Sequence, residues 1–200
     1  MSHFIGLVFV DTSMNTLDEV LKPYSSDLEI SFEDRTKAVM DAFMSLSAED
    51  PDAPCDRKRF PTERELAIRF FGYGTHMDDK GMVRFGFLYN PETKWDWYAV
   101  GNRWDGYIEA KNGAKANKLS FDDINFDAMK ADPPRMVPFC FIDLKGVWHE
   151  AGQMCFFAIV ANKKDDEKWR EEVILNIDEM QKLPASKRKN VVVYAVDFHI

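Results

Sequence analysis

Two nearly continuous apolar runs, far apart in the chain, constrain the fold more than anything between them. Residues 3–10 read HFIGLVFV and residues 191–200 read VVVYAVDFHI. Neither approaches the roughly 20 apolar residues needed to span a bilayer. Both are too uniformly apolar for a strand with one wet face, so they read as central strands covered on both sides. Set side by side in the middle of one sheet, they leave the rest of the chain to supply edges and cover.

The intervening pattern alternates helices with short strands. Thr16 is placed to cap a short helix, Leu17 to Leu21, stopped near Pro23. Ser31-Phe-Glu-Asp34 resembles a capping arrangement and opens a helix to about Leu46, with Val39, Met40, Phe43 and Met44 on one face. Residues 48–61 hold three prolines and Cys55 and read as a surface loop. Thr62-Glu-Arg-Glu65 is a capping box for a helix through Phe71, ended by Gly72-Tyr-Gly74. Residues 82–89 form a strand that Asn90-Pro91 turns. Residues 111–118 make an exposed, lysine-bearing hairpin tip, and residues 120–132 hold a helical turn or two before Pro133-Pro134. Residues 137–143, 146–149 and 152–160 read as strands. Asp165-Asp166-Glu167 opens a helix to about Leu183, with Trp169, Val173, Ile177 and Met180 at helical spacing as core contacts. Residues 185–190 are a basic linker. The order predicts an α+β fold: a mostly antiparallel sheet with helices on one face, compatible with a ferredoxin-like arrangement. Residues 1–200 read as a single domain.

The densest segment is Lys94-Trp-Asp-Trp-Tyr-Ala-Val-Gly-Asn-Arg-Trp-Asp-Gly-Tyr107, with three of the five tryptophans. It reads as a β-hairpin. Trp95, Trp97 and Ala99 alternate with Asp96, Tyr98 and Val100, Gly101-Asn102 is a two-residue turn, and Arg103 to Ile108 returns. Clustered aromatics are usually core. Here Lys94, Asp96, Arg103 and Asp105 are interleaved with the rings, and that mixture also suits a binding surface on which Arg103 stacks against a tryptophan. Both readings stay open. The candidate contact residues are Lys94, Trp95, Asp96, Trp97, Tyr98, Arg103 and Trp104, with Trp148 and His149 from a second aromatic–histidine cluster at Trp148-His149-Glu150.

Composition narrows the classes. A net charge of −8 argues against bulk binding of a phosphate backbone, so nucleic acid is not an expected partner. Cys55, Cys140 and Cys155 are odd in number and widely spaced, with no CxxC, as in a reduced cytoplasmic protein. The first residues lack a basic leader and read as a strand, not a signal peptide. The chain shows no dinucleotide fingerprint, Walker A loop, HExxH or GxSxG. No cofactor is expected.

Histidine and carboxylate supply the remaining chemistry. Asp197 and His199 share a face of the last strand and are candidates for general acid–base work. If the terminal strands are antiparallel neighbours, His3 comes close to His199, and two histidines with an aspartate could bind a metal. The simpler alternative is a polar sheet edge with hydrogen-bonded histidines. His76, Asp78 and Asp79 form a weaker metal trio, and no metal is assigned.

Met1-Ser-His-Phe4, Asn90-Pro91 with Lys94-Trp-Asp-Trp-Tyr98, then Gly101-Asn-Arg-Trp104 and Gly106 also form a pattern. So do Pro138-Phe-Cys140, Gly146, Trp148, Glu150, Gly152, Met154 and Val196-Asp-Phe-His-Ile200. Together they resemble an uncharacterised family of phage and prophage proteins with a central KWDWY…GGRW block. The chain departs at Asn102, where that family usually has glycine. The resemblance implies a phage-type accessory protein in the cytoplasm of the host cell. It would inhibit a host defence system by binding a host protein or a small nucleotide ligand. A hydrolase or nucleotide-processing enzyme using Asp197 and His199 is one alternative, and a structural or oligomeric phage component is another. Whether the chain is an enzyme stays open at this point, as does homo-oligomerisation.

Overall fold

A computed structural model describes residues 2–46, 59–131, 137–154 and 160–200. In chain order it contains β1 (His3–Asp11), the helix Leu17–Leu21, β2 (Ser31–Asp34) and the helix Thr36–Ser45. A helical turn Glu63–Glu65 continues as a π-helix, Leu66–Phe70. Then come β3 (Gly74–Met77), β4 (Val83–Tyr89), β5 (Trp97–Val100), β6 (Ile108–Glu109), β7 (Lys115–Ala116) and β8 (Lys118–Ser120). The helix Phe126–Ala131 precedes β9 (Cys140–Ile142), β10 (Trp148–Glu150), β11 (Gln153–Met154) and β12 (Val160–Ala161). The long helix Asp166–Gln181, the short helix Ala185–Arg188 and β13 (Val191–His199) follow. The fold is α+β with mostly antiparallel sheets, as the sequence predicts. Cys55, Cys155, Pro133-Pro134, most of the three-proline loop and the middle of the strand expected over 152–160 lie outside the described residues.

Read from the sequence as one domain, the chain divides by its contacts into two compact units. One is Met1–Ser26 with Glu92–Ile200, the other Asp27–Pro91. In the first, β1 and β13 pair antiparallel from His3 opposite His199 to Asp11 opposite Val191. The sheet runs β10-β9-β1-β13-β5, with β8 also on β13, and β9 lies parallel to β1. The apolar termini are therefore its central strands. The strand on the other side of β1 is β9, which pairs in turn with β10.

Alternation along β1 and β13 sends side chains to two cores. Ile5, Leu7, Phe9, Val193 and Ala195 meet Trp169, Val173, Ile177 and Met180 of the long helix. Phe4, Val8, Val10, Val196 and Phe198 meet Leu21, Trp95 and Cys140. The expectation of helices on one face holds for the long helix. The opposite face is covered by the helix Leu17–Leu21 and aromatic side chains. Burying one such apolar side chain contributes about 1.5–3 kcal/mol. Gly6 is required in β1 because a Cβ there would lie 2.5 Å from the Phe198 ring and 2.6 Å from Cys140 Sγ.

The second unit is a three-stranded sheet, β2-β4-β3, whose Phe85 packs with Val39 and Phe43 of the helix and with Phe60, Leu66 and Ala67. Ser31–Asp34, expected to begin a helix, is strand β2. Asp34 accepts the Thr36 N–H at 2.8 Å, a local turn that closes the strand two residues before the helix starts.

Candidate functional site

The tryptophan-rich stretch does not form the expected hairpin. β5 pairs with the last strand, Trp97 opposite His199 and Val100 opposite Val196. Two successive left-handed residues, Gly101 at φ 76° and Asn102 at φ 53°, turn the chain away from a return strand into the 3-10 turn Asn102–Trp104. Glycine and asparagine tolerate that conformation best. Asn117 holds the next corner, accepting the Gly106 N–H at 2.5 Å and donating to Asp105 at 2.6 Å.

The expected alternation also breaks at Asp96, whose N–H donates to the His199 carbonyl at 3.0 Å. Trp95 is buried edge-on to Tyr98 in the core shared with Phe4 and Phe198. Trp97 stays 40 % exposed and lies on the histidines. Thus Trp95 and Tyr98, both expected in the contact surface, are architecture. The Tyr98 hydroxyl donates to Asp18, and burial with that bond pushes its phenol above the usual tyrosine range.

His3, Trp97, Asp197 and His199 converge at one end of the central sheet. The sequence pairs Asp197 with His199, but the structure gives each a different partner. Asp197, wholly buried, meets His3 Nδ1 at 3.0 Å and accepts the Asn102 side-chain amide at 2.7 Å. His199, 5 % exposed, meets the half-exposed Asp96 through Nδ1 at 2.6 Å. Residues two apart on a strand share a face but stand well separated, whereas neighbouring strands bring side chains within reach. The two imidazoles lie edge to face with centroids 4.9 Å apart. The Trp97 indole stacks on His199 at 5.2 Å and touches His3 edge-on at 5.3 Å.

Other candidates lie elsewhere. Lys94 is paired with Glu150 at 2.9 Å, and Glu150 also accepts the Trp148 indole N–H at 2.9 Å. His149 lies between Asp143 and Glu172, stacked on Phe141 at 4.4 Å. Trp104 packs against the core under the long helix. Arg103, next to Asn102, is exposed, and among the described residues it does not stack on a tryptophan as expected. Cys140 is buried on the opposite face of the sheet, and burial pushes its thiol well up, away from nucleophilic use. Among the described residues no group of three or more His, Cys, Asp and Glu side chains could hold a metal ion, so neither histidine–aspartate trio stands as a metal site. His76 instead packs on Phe32 and lines a cleft of about 740 Å³ in the second unit.

Sequence reasoning missed Asn102 as the second donor to Asp197 and Asp96 as the partner of His199. The only pointer to Asn102 was its departure from the glycine of the resembled family. No helix among the described residues is long and apolar enough to cross a membrane. Compared with models of known protein families, with curated proteins and with solved structures, the chain matches none.

Proposed function

We propose that this protein is a phage-type accessory binding protein that takes a small nucleotide-like ligand at the Trp97 end of its central sheet, and so inhibits a host defence system. The phage and defence part rests on the sequence resemblance. The ligand class rests on one observation: an indole 40 % exposed, stacked at 5.2 Å on an imidazole that Asp96 holds in place. A ring already fixed loses little freedom on binding, and a base stacked on an aromatic side chain contributes about 1–3 kcal/mol. The exposed Arg103 guanidinium, one residue from Asn102, supplies positive charge for a phosphate.

Calorimetric titration with adenosine and uridine 5′-monophosphates tests this. The expected result is measurable binding that Trp97→Ala weakens at least tenfold, or about 1.4 kcal/mol, with Arg103→Ala weakening it less. Equal affinity in Trp97→Ala overturns the reading. A host protein bound by this surface without nucleotide affinity overturns the ligand class. The two carboxylate-bound imidazoles favour a second reading, acid–base chemistry at the same place.

A further inference from the structure

We infer that His3 and His199 form an acid–base pair that cleaves a ribonucleotide phosphodiester through the substrate's own 2′-hydroxyl. This rests on the nucleotide-binding reading and gives that ligand a fate. Both histidines commit Nδ1 to a carboxylate, which leaves Nε2 of each for a substrate. The ring centroids are 4.9 Å apart, with planes at 69°. In-line displacement at phosphorus needs one group at the attacking oxygen and one at the leaving oxygen on the opposite side, and each imidazole serves one of them.

The substrate's own 2′-hydroxyl is the nucleophile. His3, Asp96, Trp97, Asn102, Asp197 and His199 include no hydroxyl or thiol, and Cys140 is buried on the other face. The carboxylates divide the roles. Wholly buried Asp197, held by His3 and Asn102, stands behind the acid, His3. Asp96, 46 % exposed, stands behind the base, His199. Nε2 of His199 takes the 2′-hydroxyl proton as the 2′-oxygen bonds to phosphorus. The bond from phosphorus to the 5′-oxygen breaks, and the 5′-oxygen takes the proton from His3 Nε2. The products are a 2′,3′-cyclic phosphate and a 5′-hydroxyl, and a proton passed from His199 to His3 through water resets the pair. The outer face of Trp97 takes a base, and the phosphate reaches past the indole, which stacks on His199 and meets His3 edge-on. Asn102 acts as a positioning residue through Asp197.

The experiment incubates the full chain with the ribodinucleotide UpA and with its 2′-deoxy analogue, following products by chromatography and phosphorus NMR and binding by titration. The expected result is a 2′,3′-cyclic phosphate from UpA alone, with both dinucleotides bound. His3→Asn and His199→Asn, which keep side-chain size, each lower the rate at saturating dinucleotide about a hundredfold or more. Should these variants misfold, Asp96→Asn at its half-exposed position gives the same reading as a fall in rate at saturating dinucleotide. UpA bound but left intact by the wild type overturns cleavage and leaves the binding reading standing. An undiminished rate in His199→Asn or Asp96→Asn also overturns it. If UpA is not bound at all, both readings fall.

Discussion

Asn102 shows how much one residue can settle. Its backbone lies at φ 53°, and its amide is the second donor to a carboxylate with no exposure to water. Asn102→Gly fits the backbone and removes that bond, leaving one oxygen of Asp197 short of a donor, a cost of about 1–3 kcal/mol. Asn102→Ala loses the same bond and, unlike glycine, keeps a Cβ in the left-handed region with no local hydrogen bond to offset it, about 1 kcal/mol more than glycine. Thermal melts are expected to rank wild type, Asn102→Gly and Asn102→Ala in descending order. An Asn102→Gly protein as stable as wild type would show that the buried carboxylate does not depend on this donor. At this scale the sequence was half legible. It put Asp197 and His199 on one face and brought His3 close, but could not show that each carboxylate serves a histidine on another strand.

At the scale of elements, the long helix was legible and the fifth strand was not. Trp169, Val173, Ile177 and Met180 recur at helical spacing, and all four are buried. Asp165 accepts from the Glu167 and Lys168 N–H groups, so the start of the helix is written locally too. Ile177→Ala is expected to cost about 2–5 kcal/mol in urea unfolding, and Leu175→Ala, at 59 % exposed, to stay within about 0.5 kcal/mol. Equal costs at the two positions would contradict the buried face. The stretch 94–107 carries alternation and a glycine turn, the marks of a hairpin, yet its strand pairs with β13. The deciding feature is two consecutive left-handed residues, and glycine followed by asparagine fits both a hairpin turn and the turn observed.

For the whole molecule, the first and last strands fix the larger unit, and residues 27–91 form a second unit within the chain. Asn90-Pro91 was legible as a turn, and the boundary falls there. The entry side, at Ser26, carries no comparable signal. The larger unit also holds three tyrosines whose phenols burial pushes above their ordinary value of 10.0, Tyr24, Tyr98 and Tyr107. An acid held protonated longer in the folded state contributes stability below its unfolded value, which is lost as pH rises past it. The Cys140 thiol, pushed up from an ordinary value of 9.0, adds to this, so urea midpoints are expected to be level up to about pH 9 and to fall above it, more steeply past about pH 10. Tyr107→Phe should reduce the fall. An identical alkaline decline in Tyr107→Phe would assign it to other groups.

By itself the sequence determined the central strand pair, the long helix and the α+β class. Those rest on apolar runs and periodicities that act within a dozen residues, and burial rewards them in any arrangement that covers them. The tertiary structure alone decided the site. His3 meets Asp197 across 194 residues and His199 meets Asp96 across 103. Which carboxylate faces which imidazole is set by strand register, and register depends on the packing of the whole sheet.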